Sequence, residues 1–253
     1  MTERSNTERF MFLFCRKKAW PACKIMTTIA VRLQAVHDRI ARAAQAAGRR
    51  AEEITLIAVS KTVSAERIAE AHRCGQRAFG ENYVQEALAK IDALRGLPMA
   101  WHYIGPIQSN KTRAIAEHFD WVHSIDRVKI AERLASARPA DLPPLEVCIQ
   151  VNVSGETTKG GVAPGGELEL ARAIAVLPRL RLRGLMAIPE PTGDPALQRH
   201  RYAAVRAARD ALVAAGYPLD TLSMGMSDDL ESAIAEGATL VRVGTAIFGA
   251  RNY

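Results

Sequence analysis

Lys61 ends an apolar, β-branched run, Ile54–Val59, in the stretch ITLIAVSK. A lysine leaving a buried strand enters a low-dielectric mouth, where desolvation penalises the ammonium form and lowers its pKa. The neutral amine is a nucleophile toward aldehydes. The same position also suits a lysine that lays its stem along the strand end and keeps its head in water.

A second group of residues comes late in the chain, Val241-Arg242-Val243-Gly244-Thr245. Gly244 has no Cβ to keep backbone N–H groups from a phosphate oxygen, and Thr245 adds a hydroxyl. Gly244 serves a tight turn equally well. Ser223 is placed to assist such an anion. The run Ser227-Asp228-Asp229 suits a phosphate less, because two acids in a first helical turn complement the dipole and repel an anion aimed at it. Ser227 is therefore read as an N-cap. Arg242, flanked by two valines, must point to the opposite side from them, which places it inside a barrel. There it needs a partner. One partner is a heteroaromatic ring nitrogen, which an arginine would leave unprotonated because it does not give up its own proton. The other is an internal salt bridge, for example to Glu81.

The elements that would position these residues alternate without interruption. Thr28–Gly48 has Ile29, Leu33, Val36 and Ile40 at helical spacing, with Gly48 suited to the C′ position. Short strands are then expected at 54–59, 79–80, 101–104, 121–125, 145–153, 182–188, 221–224 and 239–243. Helices are expected between them, Ser64 capping the first and Asp126 the one after the fourth strand. The long helix after Pro195 carries Arg199, Arg206 and Arg209, read as a solvated face or, alternatively, a binding patch. Eight strands each followed by a helix or helical turn predict a single α/β (β/α)8 TIM barrel with an extra N-terminal helix. An open doubly wound sheet would carry a GxGxxG turn after its first strand, where this chain has Ser60-Lys61-Thr62. In a barrel, chemistry gathers at the C-terminal strand ends. Those are Lys61, Asn82, Gly105, Asp126, Asn152, Met186, Ser223 with Met224, and Arg242 with Gly244 and Thr245.

Composition narrows the class. Of 253 residues, 48% are hydrophobic and 24% charged, an ordinary globular balance. No apolar run approaches the ~20 residues that span a bilayer. Cys15, Cys23, Cys74 and Cys148 are scattered, with no CxxC and no metal spacing. That predicts a reducing, cytoplasmic setting with neither disulfides nor a metal. The net charge of +7 suggests a polyanion, but residues 1–27 hold six Lys/Arg against two acids, leaving +3 over the other 226 residues. No nucleic-acid footprint is expected on so balanced a body. Residues 1–27 are set apart as an extension, either a segment upstream of a start at Met26 or a disordered tail, and 28–253 as the barrel. The hexamer Phe10–Cys15 precedes rather than follows its basic cluster, unlike a secretory signal.

Six ordered blocks carry a family resemblance: AVSKT (58–62), FGENYVQEA (79–87), WHYIGPIQSNK (101–111), RGLMAIP (183–189), LSMGMSDDLESAI (222–234) and RVGTAIFGAR (242–251). Together they resemble the pyridoxal phosphate homeostasis proteins over residues 28–253, and no single block would suffice. The resemblance implies a fold-type III barrel like the N-terminal domain of alanine racemase. It implies pyridoxal 5′-phosphate (PLP) held as a Schiff base on Lys61, with phosphate contacts from Ser223, Gly244 and Thr245. It also implies Arg242 at the pyridine nitrogen and Asn82 and Met224 lining the ring. The implied function is intracellular homeostasis of PLP by storage, delivery or buffering, with apo forms of PLP enzymes as partners.

Related enzymes of this barrel type have a second, β-rich domain and two bases. The chain ends directly after the eighth βα unit, which predicts a non-enzymatic monomer. Tyr83 and His102 are the nearest candidates for a second base, yet Tyr83 starts a helix and His102 sits within an apolar strand as a core histidine. A weak amino-acid racemase or lyase and a basic nucleic-acid-binding regulator are the competing readings.

Overall fold

The computed structural model describes residues 27–155 and 160–250. The extension, with Cys15 and Cys23, lies outside the described residues, apart from Thr27. Eight parallel strands close in chain order into a barrel. They are β1 (Thr55–Val59), β2 (Ala78–Glu81), β3 (Ala100–Tyr103), β4 (Trp121–Ile125), β5 (Leu145–Gln150), β6 (Leu180–Met186), β7 (Thr221–Ser223) and β8 (Leu240–Val243). β8 returns to β1 with Thr55 opposite Leu240 and Ala58 opposite Val243. Around them run α1 (Thr28–Ala46), α2 (Ala65–Arg73), α3 (Val84–Ala93), α4 (Thr112–His118), α5 (Val128–Ala137), α6 (Glu167–Ala175), α7 (Pro195–Ala214), α8 (Leu230–Ala235) and α9 (Thr245–Phe248). The expected (β/α)8 architecture with its additional N-terminal helix is what forms.

The local chemistry explains the boundaries. Thr27 caps α1 by accepting from Ala30 N at 3.2 Å, and Gly48 ends it at φ +67°, a conformation that costs glycine little. Asp194 accepts from Ala196 N at 2.9 Å and Pro195 opens α7, as a proline in a first turn can. Two expected caps move. α5 is preceded by extended Arg127, not by Asp126. The Asp126 carboxylate pairs with Arg127 Nη1 at 2.7 Å instead. α8 begins after Asp229, not Ser227, because Asp229 Oδ1 accepts from Met226 N at 2.6 Å and holds residues 226–229 as a turn ahead of the helix.

Alternation along the strands separates two apolar regions. Leu56, Ala58, Val241 and Val243 belong to the large core shared with the helices, while Ile57, Ala78 and Leu240 form a small inner cluster beside Trp121. Arg242 shares the parity of Leu240 and so points inward, as expected from its valine neighbours. α1 packs across α8 and α9. Arg49 Nη1 donates to the carbonyls of Ile234 and Ala238 at 3.0 and 2.8 Å. Arg39 pairs with Glu231 and donates to Ser227 O at 3.0 Å. On α7, the arginines are ion-paired: Arg199 and Arg206 both grip the buried Glu236 at 2.8 and 2.7 Å, and Arg209 pairs with Asp210. Among the described residues no helix is long and apolar enough to cross a membrane.

Candidate functional site

A cleft of ≈ 640 Å³ opens where β1 and β8 end. Four of the expected site residues line it together: Lys61, Arg242, Gly244 and Thr245. They come from opposite ends of the sequence because β8 closes on β1. A Cβ at Gly244 would meet Val59 O at 3.2 Å and Val59 Cβ at 3.3 Å, so the missing side chain lets the β8 loop lie against the end of β1, beside Lys61. Gly244 also precedes α9, and N–H groups in the first turn of a helix lack intrahelical acceptors.

Arg242 is 3% exposed. Its Nη1 donates to Ser223 O at 2.6 Å and Ser223 Oγ at 2.7 Å, and its Nη2 to Ala187 O at 2.9 Å. Among the described residues it makes no salt bridge. The alternative pairing with Glu81 is not made, since Glu81 is bound by Lys90 at 2.9 Å and by Ser60 Oγ at 2.6 Å. Burial pulls the guanidinium pKa down, yet an arginine stays charged in proteins. The cleft floor is thus a buried cation held by neutral groups, a setting that attracts an electron-rich partner.

Behind Arg242 runs a buried polar chain. His123 Nδ1 lies 2.7 Å from Ser223 Oγ, and His123 Nε2 lies 3.0 Å from His102 Nδ1. Burial holds His102 down to about 3 and His123 well below the ordinary histidine range, so both rings are neutral at pH 7. One donor order uses every proton of the chain, the Ser223 hydroxyl proton included. Arg242 can only donate, so Ser223 Oγ accepts from it and gives its own proton to His123 Nδ1. His123 carries its proton on Nε2 and passes it toward His102 Nδ1. His102 stacks on Trp121 with centroids 5.5 Å apart. It is the core histidine the apolar strand predicted.

The other expected residues stand further off. Ser223 touches the group through Arg242 and is itself fully buried. Met224 is buried in the hydrophobic core and does not line the cleft. Asn82 follows β2, outside the cleft lining; its Oδ1 is buried without a hydrogen-bond partner among the described residues, and its backbone oxygen accepts from Tyr103 OH at 3.2 Å. Met226, Ser227 and Asp228 do line the cleft, with Arg39 and Arg67. Sequence reasoning assigned Ser227 to a helix cap and so missed it. The signal was Gly225 in the run Ser223-Met224-Gly225-Met226-Ser227: its φ of +94° turns the chain across the barrel mouth before α8 begins. Tyr83, 57% exposed, is also outside the cleft lining.

The family model for the alanine racemase N-terminal domain matches residues 31–252. The pyridoxal phosphate homeostasis protein of Pseudomonas aeruginosa is 61% identical over 228 residues, covering 90% of this chain and 98% of that protein. The protein of the same name from Escherichia coli K12 is 56% identical over 232 residues, covering 90% and 99%. The solved structure of PipY from Synechococcus elongatus PCC7942 with PLP bound is similar at a TM-score of 0.76 and 37% identity, covering 87% of this chain and all of that one. By sequence and by fold, the chain belongs to the pyridoxal phosphate homeostasis protein family, within the wider alanine racemase N-terminal domain family.

Proposed function

We propose that the chain binds PLP in the cleft between β1 and β8 and serves the homeostasis of that cofactor by storing, delivering or buffering it. The observation that carries this reading is the convergence of Lys61, Arg242, Gly244 and Thr245 on one cleft, with a buried cation at its floor. The donor set fits the group. Lys61 supplies the amine that captures the aldehyde. Gly244 and Thr245, at an open first turn, suit the phosphate, and Ser227 stands close by on the same cleft. Arg242 suits the ring nitrogen and keeps it unprotonated. Ser223 acts here by holding Arg242 rather than by the phosphate contact expected of it, and Asn82 and Met224, expected along the ring, lie outside the cleft lining. When bound, the cofactor supplies an electrophilic aldehyde on a ring whose electron-withdrawing power is weak while its nitrogen is neutral.

The proton chemistry of the cleft supports a carrier over a catalyst. His102 is committed to His123 and Trp121, and no histidine or tyrosine is among the described residues that line the cleft. Among the described lining residues, Lys61 and Asp228 are the side chains with the chemistry of a base. Delivery of the cofactor to apo-enzymes, a monomeric state and a cytoplasmic setting belong to the same proposal. The experiment is direct. Purified protein incubated with PLP should gain a visible absorbance band, and borohydride reduction followed by peptide mapping should place the adduct on Lys61. An adduct on Lys111 instead, or racemisation of alanine by the loaded protein, would refute the reading.

A further inference from the structure

The backbone around Lys61 is held on both sides by one buried ion cluster. Ser60 N still belongs to the barrel ladder, donating to Gly80 O at 2.9 Å. Beyond it the ladder ends, and the next peptide groups need other partners. The Ser60 carbonyl accepts from Lys90 Nζ at 2.7 Å and from Val63 N at 2.9 Å, which makes 60–63 a tight turn. The Thr62 N–H donates to Glu86 Oε1 at 2.5 Å. So the two peptide bonds that join Lys61 to its neighbours are each fixed by a charged side chain of α3. Thr62 sits at φ +64°, a left-handed conformation that a β-branched residue avoids unless its surroundings impose it.

The cluster is densely bonded, with Glu81 Oε2 the oxygen left buried without a hydrogen-bond partner among the described residues. Lys90 spends its three protons on Ser60 O, Glu81 Oε1 and Glu86 Oε1. Ser60 Oγ donates to the same Glu81 Oε1 at 2.6 Å. Glu86 and Lys90, four apart, share one face of α3, and Glu81 ends the strand that feeds that helix. A buried ion pair is poor evidence for stability, since desolvation offsets most of its attraction. It is better evidence for a fixed geometry.

We propose that Lys90, Glu86 and Glu81 are positioning residues for Lys61, holding its turn so that the amine faces the cleft ready to react. The inference rests on the proposed role of Lys61. Lys90→Met would strand two carboxylates and endanger folding, so Glu86, half-exposed, is the residue to change. Two ligands separate positioning from general damage: PLP itself, and 4′-deoxypyridoxine 5′-phosphate, whose methyl group replaces the aldehyde and needs nothing from Lys61. In Glu86→Ala, stopped-flow growth of the visible band with PLP should be at least about tenfold slower, while affinity for the deoxy analogue stays within about twofold of the parent. Glu86→Gln, which retains an oxygen for Thr62 N–H, should recover most of the rate. Unchanged capture in Glu86→Ala would overturn the inference, as would a parallel loss of analogue affinity or a Gln variant as slow as the Ala variant. A parent protein that develops no band with PLP would overturn the proposed function, and the inference with it.

Discussion

Replacing Arg242 with methionine tests the floor of the cleft. The thioether keeps most of the volume and removes the cation. Ala187 O loses its donor in a buried site, while Ser223 O keeps the Ala187 N–H at 3.2 Å. A stranded buried acceptor costs about 1–3 kcal/mol. Ser223 Oγ loses less, because its proton still goes to His123. Relief from burying a guanidinium offsets part of this, leaving a net loss of about 1–2 kcal/mol. For a chain of this size each kcal/mol moves Tm by about 2–4 °C, so the expected fall is about 5 °C by circular dichroism. Losing a hydrogen bond from a charged donor, worth about 1.5–3 kcal/mol, should also weaken PLP about 10- to 100-fold in an absorbance titration. Glutamate is the wrong replacement, since its carboxylate would face the same two carbonyl oxygens. A methionine variant within about 2 °C of the parent, or one that binds PLP equally well, would refute the reasoning.

Three further outcomes follow from the same geometry. His102 and His123 are neutral and buried, with folded pKa values below the unfolded 6.5, so the unfolded chain gains protons that the fold does not as pH drops. Stability is full above pH 6.5 and should fall by about 1.4 kcal/mol per pH unit per histidine below it; a Tm flat from pH 7.5 to 5.5 would contradict the burial of this pair. Nitrogen-15 NMR at pH 7 should show both rings neutral with the proton on Nε2, and a Nδ1–H signal from His123 would break the donor order from Arg242. Gly184→Ala should give an insoluble or severely destabilised protein, because the added Cβ would lie 1.8 Å from Thr221 O across the β6–β7 ladder; a soluble variant melting near the parent would show that the two strands separate easily.

The barrel was legible because short β-branched runs, each followed by an amphipathic or capped helix, admit few closed arrangements. Lys61 and Arg242 were legible for a related reason: a charged residue next to a buried apolar run must leave the strand end or turn inward. What was not legible came from loops. Ser227 and Asp126 have the chemistry of caps, but a carboxylate two residues on in one case and a neighbouring arginine in the other took over. The fates of Ser223 and Met224 depend on which side of a three-residue strand end faces the core, and so short a strand has no pattern to read. Nor did spacing reveal that Lys90, on a helix, reaches the carbonyl of Ser60 thirty residues earlier.

The seam between β8 and β1 bears on how the protein is made. Strand β1 cannot satisfy one of its edges until residues 240–243 are available, and Arg49, just past α1, finds the carbonyls of Ile234 and Ala238 only at the same late stage. Such distant pairings are slow to form. During synthesis the first half of the chain must therefore wait with an open edge, exposed to mispairing. Lys61 and Gly244 stand on either side of that join, so the cleft does not exist before closure. A cofactor that binds only the closed form would pull the last step forward by mass action, and the supply of PLP at the ribosome would influence how much of the newborn chain matures.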